Sequence, residues 1–120
     1  MHVLYVHQNY PAQFGHIARY LVHQLNWQCT FVTRAEVANV NDGVRKVIYR
    51  TTGGATERNH YCTRTFENAV WHTHAVYEAM KAHPEVRPDL IVGHSGFGST
   101  LFLAELFDAV TRCDTILVDW

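Results

Sequence analysis

The sequence lacks the features of several protein classes. None of its apolar runs approaches the roughly 18 residues that a bilayer-spanning helix needs, and its first residues lack the charged and longer apolar regions of a signal peptide. Its net charge is −1 with neutral histidines, so no bulk attraction draws it to nucleic acid or to an anionic membrane. We therefore predict no transmembrane segment and no nucleic-acid partner.

Cysteine is scarce, and histidine is abundant but poorly spaced for metal binding. The three cysteines are odd in number and widely spaced, which fits neither a disulfide framework nor a zinc site and favours a cytoplasmic location. None of the nine histidines lies four residues from another. His72 and His74 would diverge by about 200° on a helix, so we predict no metal site.

Several catalytic and cofactor motifs are missing as well. The sequence has no Gly-x-Gly-x-x-Gly fingerprint and no Walker loop, which removes the best support for nicotinamide, flavin or nucleoside triphosphate binding. It also has no nucleophile elbow and no paired carboxylates near the candidate loops, so hydrolysis is poorly supported. A content of 48% hydrophobic and 18% charged residues is typical of one globular domain with a real core.

Apolar patterning predicts the order β-α-β-β-α-β-α-β. Continuous apolar runs indicate buried strands, and apolar residues at spacings of three and four indicate helices. The predicted strands are 3–6, 29–33, 44–49, 90–92 and 115–118, and the predicted helices are 13–25, 61–83 and 98–110. This alternation predicts an α/β fold, a Rossmann-like doubly wound, mostly parallel sheet with helices on both faces and the strand order 3-2-1-4-5.

The apolar pattern also predicts which parts of two of these helices are buried. The inner stripe of the second helix is expected to contain Phe66, Ala69, Val70, Tyr77 and Met80. The third helix is apolar on most sides, and so we expect it to be well buried.

The strand order predicts where a ligand would bind. Strands 1 and 4 are neighbours, and the chain winds in opposite directions from them, so their carboxyl ends open a crevice. The loops at residues 7–14 and 93–98 would form its walls. The first loop offers polar side chains and a phenol within about one turn, although a simple turn before Pro11 is the structural alternative. Its substrate-binding candidates are His7, Gln8, Asn9, Tyr10 and Gln13.

The second loop combines a strand-end histidine with small residues before a helix. His94 could donate to a phosphate or a sugar hydroxyl, or it could only cap the loop. Ser95, Gly96 and Gly98 would let backbone N–H groups approach a ligand.

Arg34 has a functional and a structural interpretation, whereas four other residues have a structural one. Arg34 follows the second strand and could clamp an anionic ligand, or it could form a solvated pair with Glu36. We interpret Gly53 and Gly54 as a flexible connector, and Trp27 and Trp71 as packing residues.

Two segments resemble the N-terminal domain of a bacterial glycosyltransferase family 4 group. The sequence VLYVHQNYPAQF at residues 3–14 is similar to the family's ILFVHQNFPGQF, and RPDLIVGHSGFG at 87–98 is similar to RPDVIVAHPGWG. The stretches at 43–50, 66–70 and 101–103 are similar too. The resemblance runs in order along nearly the whole chain.

The resemblance implies a GT-B architecture, in which two Rossmann-like domains enclose the active site. The N-terminal domain would hold a glycan or other hydroxyl acceptor, and the C-terminal domain of the same protein would hold the nucleotide-sugar donor. Transfer would retain the anomeric configuration without a metal or other cofactor. By position, His94 would lie at the reaction centre, and the loop at 7–14 would border the donor phosphates and the acceptor.

The chain departs from the family pattern at Phe97, where members often have Trp, and at Asp119, near an expected Glu. The Glu-x7-Glu signature of the donor domain is absent. We therefore expect residues 1–120 to be a single acceptor-side domain, a fragment of a longer two-domain protein, that is inactive alone. The alternative is a stand-alone, non-catalytic Rossmann-like binding module. A receiver-like signalling domain is disfavoured because no acidic cluster ends the first strand.

Overall fold

A computed structural model describes residues 1–34, 41–94 and 100–107, and the backbone of 115–118. Strands and helices alternate along the chain much as the apolar pattern predicts. The elements are β1 (His2–Val6), α1 (Gly15–Leu25), β2 (Gln28–Arg34), β3 (Arg45–Tyr49), a 3₁₀ turn (Tyr61–Thr63), α2 (Arg64–Lys81), β4 (Leu90–His94), α3 (Leu103–Leu106) and β5 (Thr115–Val118).

The five strands form one sheet in the order β3-β2-β1-β4-β5, and every pair in it is parallel. This confirms the predicted fold class and strand order. The register places Val6 of β1 beside Gly93 of β4. The chain leaves β1 toward β2 and leaves β4 toward β5, so the topological switch point lies between β1 and β4.

Side chains on the two faces of the sheet form two separate cores. Val3, Tyr5 and Phe31 pack with Phe14 and Ala18 on the face that α1 covers. Leu4, Val6, Val32, Val76 and Leu103 belong to the core on the opposite face, which α2 and α3 cover. Because the sheet is covered on both faces, its central strands are apolar at nearly every position, which is why they appear as continuous apolar runs.

Helix α1 begins later than predicted. The prediction placed its start at residue 13, whereas the regular helix begins at Gly15. Ala12 has a φ of 46°, a left-handed conformation that cannot continue a right-handed helix. Asn26 ends the helix, also in the left-handed region with a φ of 53°.

The predicted burial of Phe66 is wrong, since its side chain is 67% exposed. Phe66 lies seven residues before the buried Thr73, so it shares that helix face. However, an 18-residue helix is about 27 Å long, whereas a five-residue strand extends only about 17 Å. The helix is therefore longer than such a strand, and the sheet cannot cover every turn of its inner face.

The third helix is less buried than predicted. Leu103 is buried, but Leu101 is 59% exposed. Part of the predicted helix, residues 98–99 and 108–110, lies outside the described residues. Within 100–107 the α-helix spans only Leu103–Leu106 and is attached to α2 by the Phe102 N–H, which donates to Thr73 Oγ1 at 3.2 Å.

Candidate functional site

Two histidines meet at the carboxyl ends of the central strands. Since Val6 pairs with Gly93, the next residue on each strand is a histidine, His7 or His94. Their imidazole rings meet edge to face, with centroids 5.9 Å apart and planes at 90°. His94 is half-buried, whereas His7 is 6% exposed. The carboxyl ends of β1 and β4 are therefore adjacent, and the histidine pair lies between them at this edge of the sheet.

His7 is held on two sides. Its ring also meets Phe14 edge to face, with centroids 6.1 Å apart. Its Nδ1 lies 3.0 Å from the backbone nitrogen of Asn9 and 3.1 Å from the backbone oxygen of the same residue. Unprotonated Nδ1 would accept from the N–H, and protonated Nδ1 would donate to the carbonyl. In either state the ring fixes the start of the loop.

Burial lowers the pKa of His7 below its ordinary value of 6.5, and the nearby His94 lowers that pKa further. The hydrogen bond to the backbone of Asn9 acts in the opposite direction without reversing the shift. His7 is therefore neutral at physiological pH, and it can hold its neighbours without adding positive charge at this edge of the sheet.

The rest of the first loop is attached to β2. The carbonyl of Gln8 accepts from the Arg34 N–H at 3.3 Å and from Thr33 Oγ1 at 3.1 Å. Asn9 and Gln13 are exposed. The structure thus brings Gln8, Asn9 and Arg34 to the sheet edge at which His7 and His94 lie, as predicted, and leaves Asn9 accessible to a ligand.

Tyr10 points elsewhere. Its ring packs edge to face on Phe31, with centroids 4.8 Å apart, and Lys46 Nζ lies 4.6 Å from its centroid. Its hydroxyl donates to the carboxylate of Asp42, which also forms a 2.8 Å ion pair with Lys46. The phenol therefore lies on the α1 face of the sheet, with its hydroxyl directed to Asp42.

The electrostatics of this cluster are those of a structural anchor. Burial, followed by the hydrogen bond to Asp42, raises the pKa of Tyr10 to about 12. Burial alone would raise the pKa of Asp42, but hydrogen bonds from Lys46 and Tyr10 outweigh it and lower that pKa below its ordinary range. Tyr10 consequently stays protonated and Asp42 ionised at neutral pH.

Arg34 has a neighbour that the sequence did not reveal. His72 of α2 accepts from or donates to the Tyr49 hydroxyl through its Nδ1, at 2.9 Å. Burial lowers the pKa of His72, and the positive charge of Arg34 lowers it further. Arg34 thus lies toward α2. His72 lies 38 residues further along the sequence, and no local pattern connects the two.

Ser95, Gly96 and Gly98 lie outside the described residues, as do Phe97 and Glu36. The adjoining Gly93 shows how closely the chain returns to β4, because a Cβ on Gly93 would overlap Cγ2 of Thr100. Thr100 is 9% exposed, so its methyl group fills this space. Gly93 is thus required for the return of the chain after β4.

The described part of the chain contains neither a group of side chains suited to bind a metal nor a helix suited to span a membrane. Within residues 1–34, 41–94 and 100–107, no three His, Cys, Asp or Glu side chains are grouped to hold a metal ion. Among the helices that the structure describes, none is both long and apolar enough to cross a membrane.

Several solved structures of glycosyltransferases have a similar fold. The glycotransferase of kitacinnamycin has a TM-score of 0.66 and 18% identity, covering 98% of this chain and 30% of its own. CalG4, the calicheamicin glycosyltransferase, has a TM-score of 0.66 and 16% identity, and the match covers 98% of this chain and 32% of CalG4. Apo UGT2 of Phytolacca americana has a TM-score of 0.55 and 10% identity, covering 98% and 29%. The chain spans about a third of their length, and its fold is that of one GT-B half-domain.

The sequence then identifies the family. The model of the glycosyl transferase family 4 group matches residues 25–113, about three quarters of the chain, and the chain belongs to that family. The matched range includes His94 and begins after the loop that contains His7. No curated protein matches the sequence.

Proposed function

We propose that this chain is the acceptor-side, N-terminal domain of a bacterial, cytoplasmic, retaining glycosyltransferase. The whole protein would transfer a sugar from a nucleotide-sugar donor to a glycan or another hydroxyl acceptor. Membership of the family 4 group supports glycosyl transfer. The observation that carries the proposal is the meeting of His7 and His94 at the switch point of the sheet, where doubly wound folds bind ligands.

His94 is the proposed catalytic residue. It is half-buried at the end of β4, so its ring is accessible on one side and held by His7 on the other. A hydrogen bond from this imidazole to the sugar or to the departing phosphate would stabilise the charge that develops there and align the two substrates. The C-terminal domain of the same protein would supply the donor. No metal and no other cofactor is required in this scheme.

The neighbouring residues have different roles in the proposal. Asn9 and Gln13 are exposed and would hydrogen-bond acceptor hydroxyls, and Arg34 would attract an anionic group of the donor. His7 is a positioning residue, because it is buried and acts through His94 and the backbone of Asn9. Ser95, Gly96 and Gly98 would contribute backbone donors, as predicted from their sequence. Tyr10 would position the loop through Asp42.

The test is the substitution His94→Ala in the full-length enzyme. Loss of a group that stabilises charge in the transition state should lower kcat by about a hundredfold or more, while far-UV circular dichroism stays unchanged. His16→Ala, which removes an exposed imidazole from α1, is the matched control and should retain activity. Near-normal turnover of the His94 variant would contradict the assigned role.

The same experiment examines the alternative of a stand-alone binding module. That alternative predicts that the full-length protein binds a small polyol or phosphate but transfers no sugar from any nucleotide-sugar donor. Transfer by the unmodified protein excludes it.

A further inference from the structure

A groove lies beside the edge strand β3, on the side that faces α2. Its volume is about 600 Å³, and both elements line it. Its aromatic and polar lining residues include Arg50, Thr52, Trp71, His74 and Glu78. None of them was a predicted site residue, and Trp71 was interpreted only as a packing residue.

Trp71 forms a rigid wall of this groove. Its indole N–H donates to Glu67 Oε1 at 3.1 Å, one helical turn away. Its six-membered ring also lies against Gly53, where a Cβ would come within 2.6 Å of Cη2. Gly53 is therefore more than the flexible connector predicted from sequence, because the indole packs where its side chain would be. The ring edge contacts Gly53 and the indole N–H is bonded to Glu67, and the half-buried Trp71 is one of the residues that line the groove.

The polar groups around the groove are of mixed character. Arg50 offers donors only, Glu78 offers acceptors only, and the Thr52 hydroxyl can do both. His74 Nε2 lies 3.7 Å from Glu78 Oε1. Opposite charges at one site favour a ligand with no net charge, and adjacent donors and acceptors match one that carries many hydroxyl groups.

We propose that this groove binds a neutral oligosaccharide, with one sugar ring stacked on Trp71 and its hydroxyls bonded to Arg50, Thr52 and Glu78. The apolar C–H face of a pyranose ring complements the indole, and its equatorial hydroxyls reach the polar groups around it. A single aromatic wall with convergent polar side chains is typical of a site for a small polar ligand rather than of a protein interface.

The position of the groove relates it to the histidine pair. The strand order places β3 two strands from β1 and three strands from β4, which corresponds to roughly 10 Å and 14 Å between strand axes. Arg50 and Thr52 follow β3 at the carboxyl ends of the strands, the edge at which His7 and His94 lie. An acceptor longer than one sugar could thus occupy the groove while its terminal hydroxyl reaches His94. Only this identification of the sugar as acceptor rests on the proposed function.

The binding experiment requires no donor and no turnover. Maltotriose, cellotriose, mannotriose and chitotriose are each titrated into the protein labelled with ¹⁵N-tryptophan, and the indole N–H signals are followed. We expect at least one trisaccharide to shift the Trp71 signal in a saturable way and to leave the Trp27 signal in place. Absence of a saturable shift with all four sugars would overturn the proposal.

Variants separate binding from folding. Trp71→Ala should weaken the affinity for that trisaccharide by about tenfold or more, and Trp71→Phe should weaken it less. Because loss of the indole could disturb α2, Glu78→Gln offers a second variant at an exposed position with little change in shape. Glu105→Gln, on the exposed side of α3, is the matched control and should bind normally. Unchanged affinity in Glu78→Gln and Trp71→Phe would contradict the site.

The edge strand β3 can also pair with a second copy of the chain, and the experiment distinguishes that outcome from sugar binding. Concentration-dependent shifts of Trp71 without sugar, together with a dimer in analytical ultracentrifugation, would overturn the proposal in favour of an interface.

In the full-length enzyme, Trp71→Ala should raise the acceptor KM with little change in kcat, whereas His94→Ala should lower kcat. Sugar binding without transfer would reject the proposed enzyme but leave the groove established.

Discussion

The hydroxyl of Tyr10 donates to the carboxylate of Asp42, a residue 32 positions later in the chain. This contact joins the loop after β1 to the turn before β3. Asp42 also accepts from the Val44 N–H at 3.2 Å and pairs with Lys46, and the side chains of both Asp42 and Lys46 are only 9% exposed. The loop that carries His7 and Asn9 is therefore anchored by a compact polar cluster on the α1 face of the sheet.

Removing the Tyr10 hydroxyl should weaken the whole domain. Tyr10→Phe deletes one donor to a charged, poorly exposed acceptor, and we expect the free energy of unfolding at neutral pH to fall by about 1–3 kcal/mol. The loss should shrink at acid pH. Asp42 has a lowered pKa when folded, so its stabilisation is present above its ordinary pKa of 3.8 and disappears as the pH falls through the folded value. Urea unfolding of the variant and of the unmodified protein, at neutral and at acid pH, measures this difference in free energy.

The control for that experiment is Tyr20→Phe, which removes a hydroxyl from a 60% exposed ring on α1 and should change little. An NMR titration should also show a higher Asp42 pKa in Tyr10→Phe, since one of its hydrogen-bond donors is gone. Equal stability of the two variants would show that the Tyr10 contact contributes nothing.

Burial of His7 predicts acid sensitivity close to neutral pH. Its folded pKa lies below the unfolded value of 6.5, so the unfolded chain binds more protons in the interval between them. This linkage therefore leaves the free energy of unfolding undiminished above pH 6.5, and it lowers that free energy as the pH falls below 6.5. His7→Gln should flatten this dependence when urea unfolding is compared at about pH 7.5 and about pH 5.5.

Two other histidines, His2 and His72, have pKa values lowered by burial, so part of the acid sensitivity should persist in the His7 variant. His16→Gln, at an exposed position, provides the comparison and should retain the full pH dependence. If His7→Gln retained it as well, His7 would not be a source of the effect.

Gly93 should not tolerate a side chain. In Gly93→Ala the new methyl group overlaps Cγ2 of Thr100, and we expect a loss of about 1–3 kcal/mol in unfolding free energy. Thr100→Ser removes that Cγ2 and should restore part of the loss. A double-mutant cycle measures the coupling between the two positions. Strict additivity would rule out the steric explanation.

Gly53 should control the position of Trp71. The Cβ of Gly53→Ala would lie 2.6–2.9 Å from three atoms of the indole, which cannot bend away as a flexible chain could. We expect a shifted Trp71 indole signal and weaker trisaccharide binding. Gly54→Ala is the matched control, because its Cβ would approach only Asn68 Oδ1, at 3.0 Å. Equal effects of the two substitutions would argue against a specific role for Gly53.

The strand order was predictable from the sequence, and it places the positions of His7 and His94 next to each other at one edge of the sheet. Apolar runs such as that of β1 reflect burial on both faces of a sheet, and right-handed crossovers leave few possible strand orders. Once β1 and β4 are neighbours, His7 and His94 must lie side by side, because each follows a paired residue, Val6 or Gly93.

Other features could not be predicted in this way. Phe66 has the helical spacing of a core residue, but whether that position is covered depends on the length of the sheet beside α2. Tyr10 follows His7 by three residues and looks like part of the same site, yet its ring turns to Phe31 and Asp42. The periodicity of apolar residues carries no information about such contacts between segments that are distant in sequence.

The chain's own residue pattern determined the order of helices and strands, the doubly wound topology and the edge of the sheet at which the positions of His7 and His94 lie. These properties follow from burial period and backbone handedness, which act over a few residues at a time. Tertiary structure alone decided that Tyr10 serves as an anchor, that His7 is buried against His94 and that Trp71 lines a groove over Gly53. Each depends on packing between segments far apart in sequence, where the available space selects the direction of a side chain.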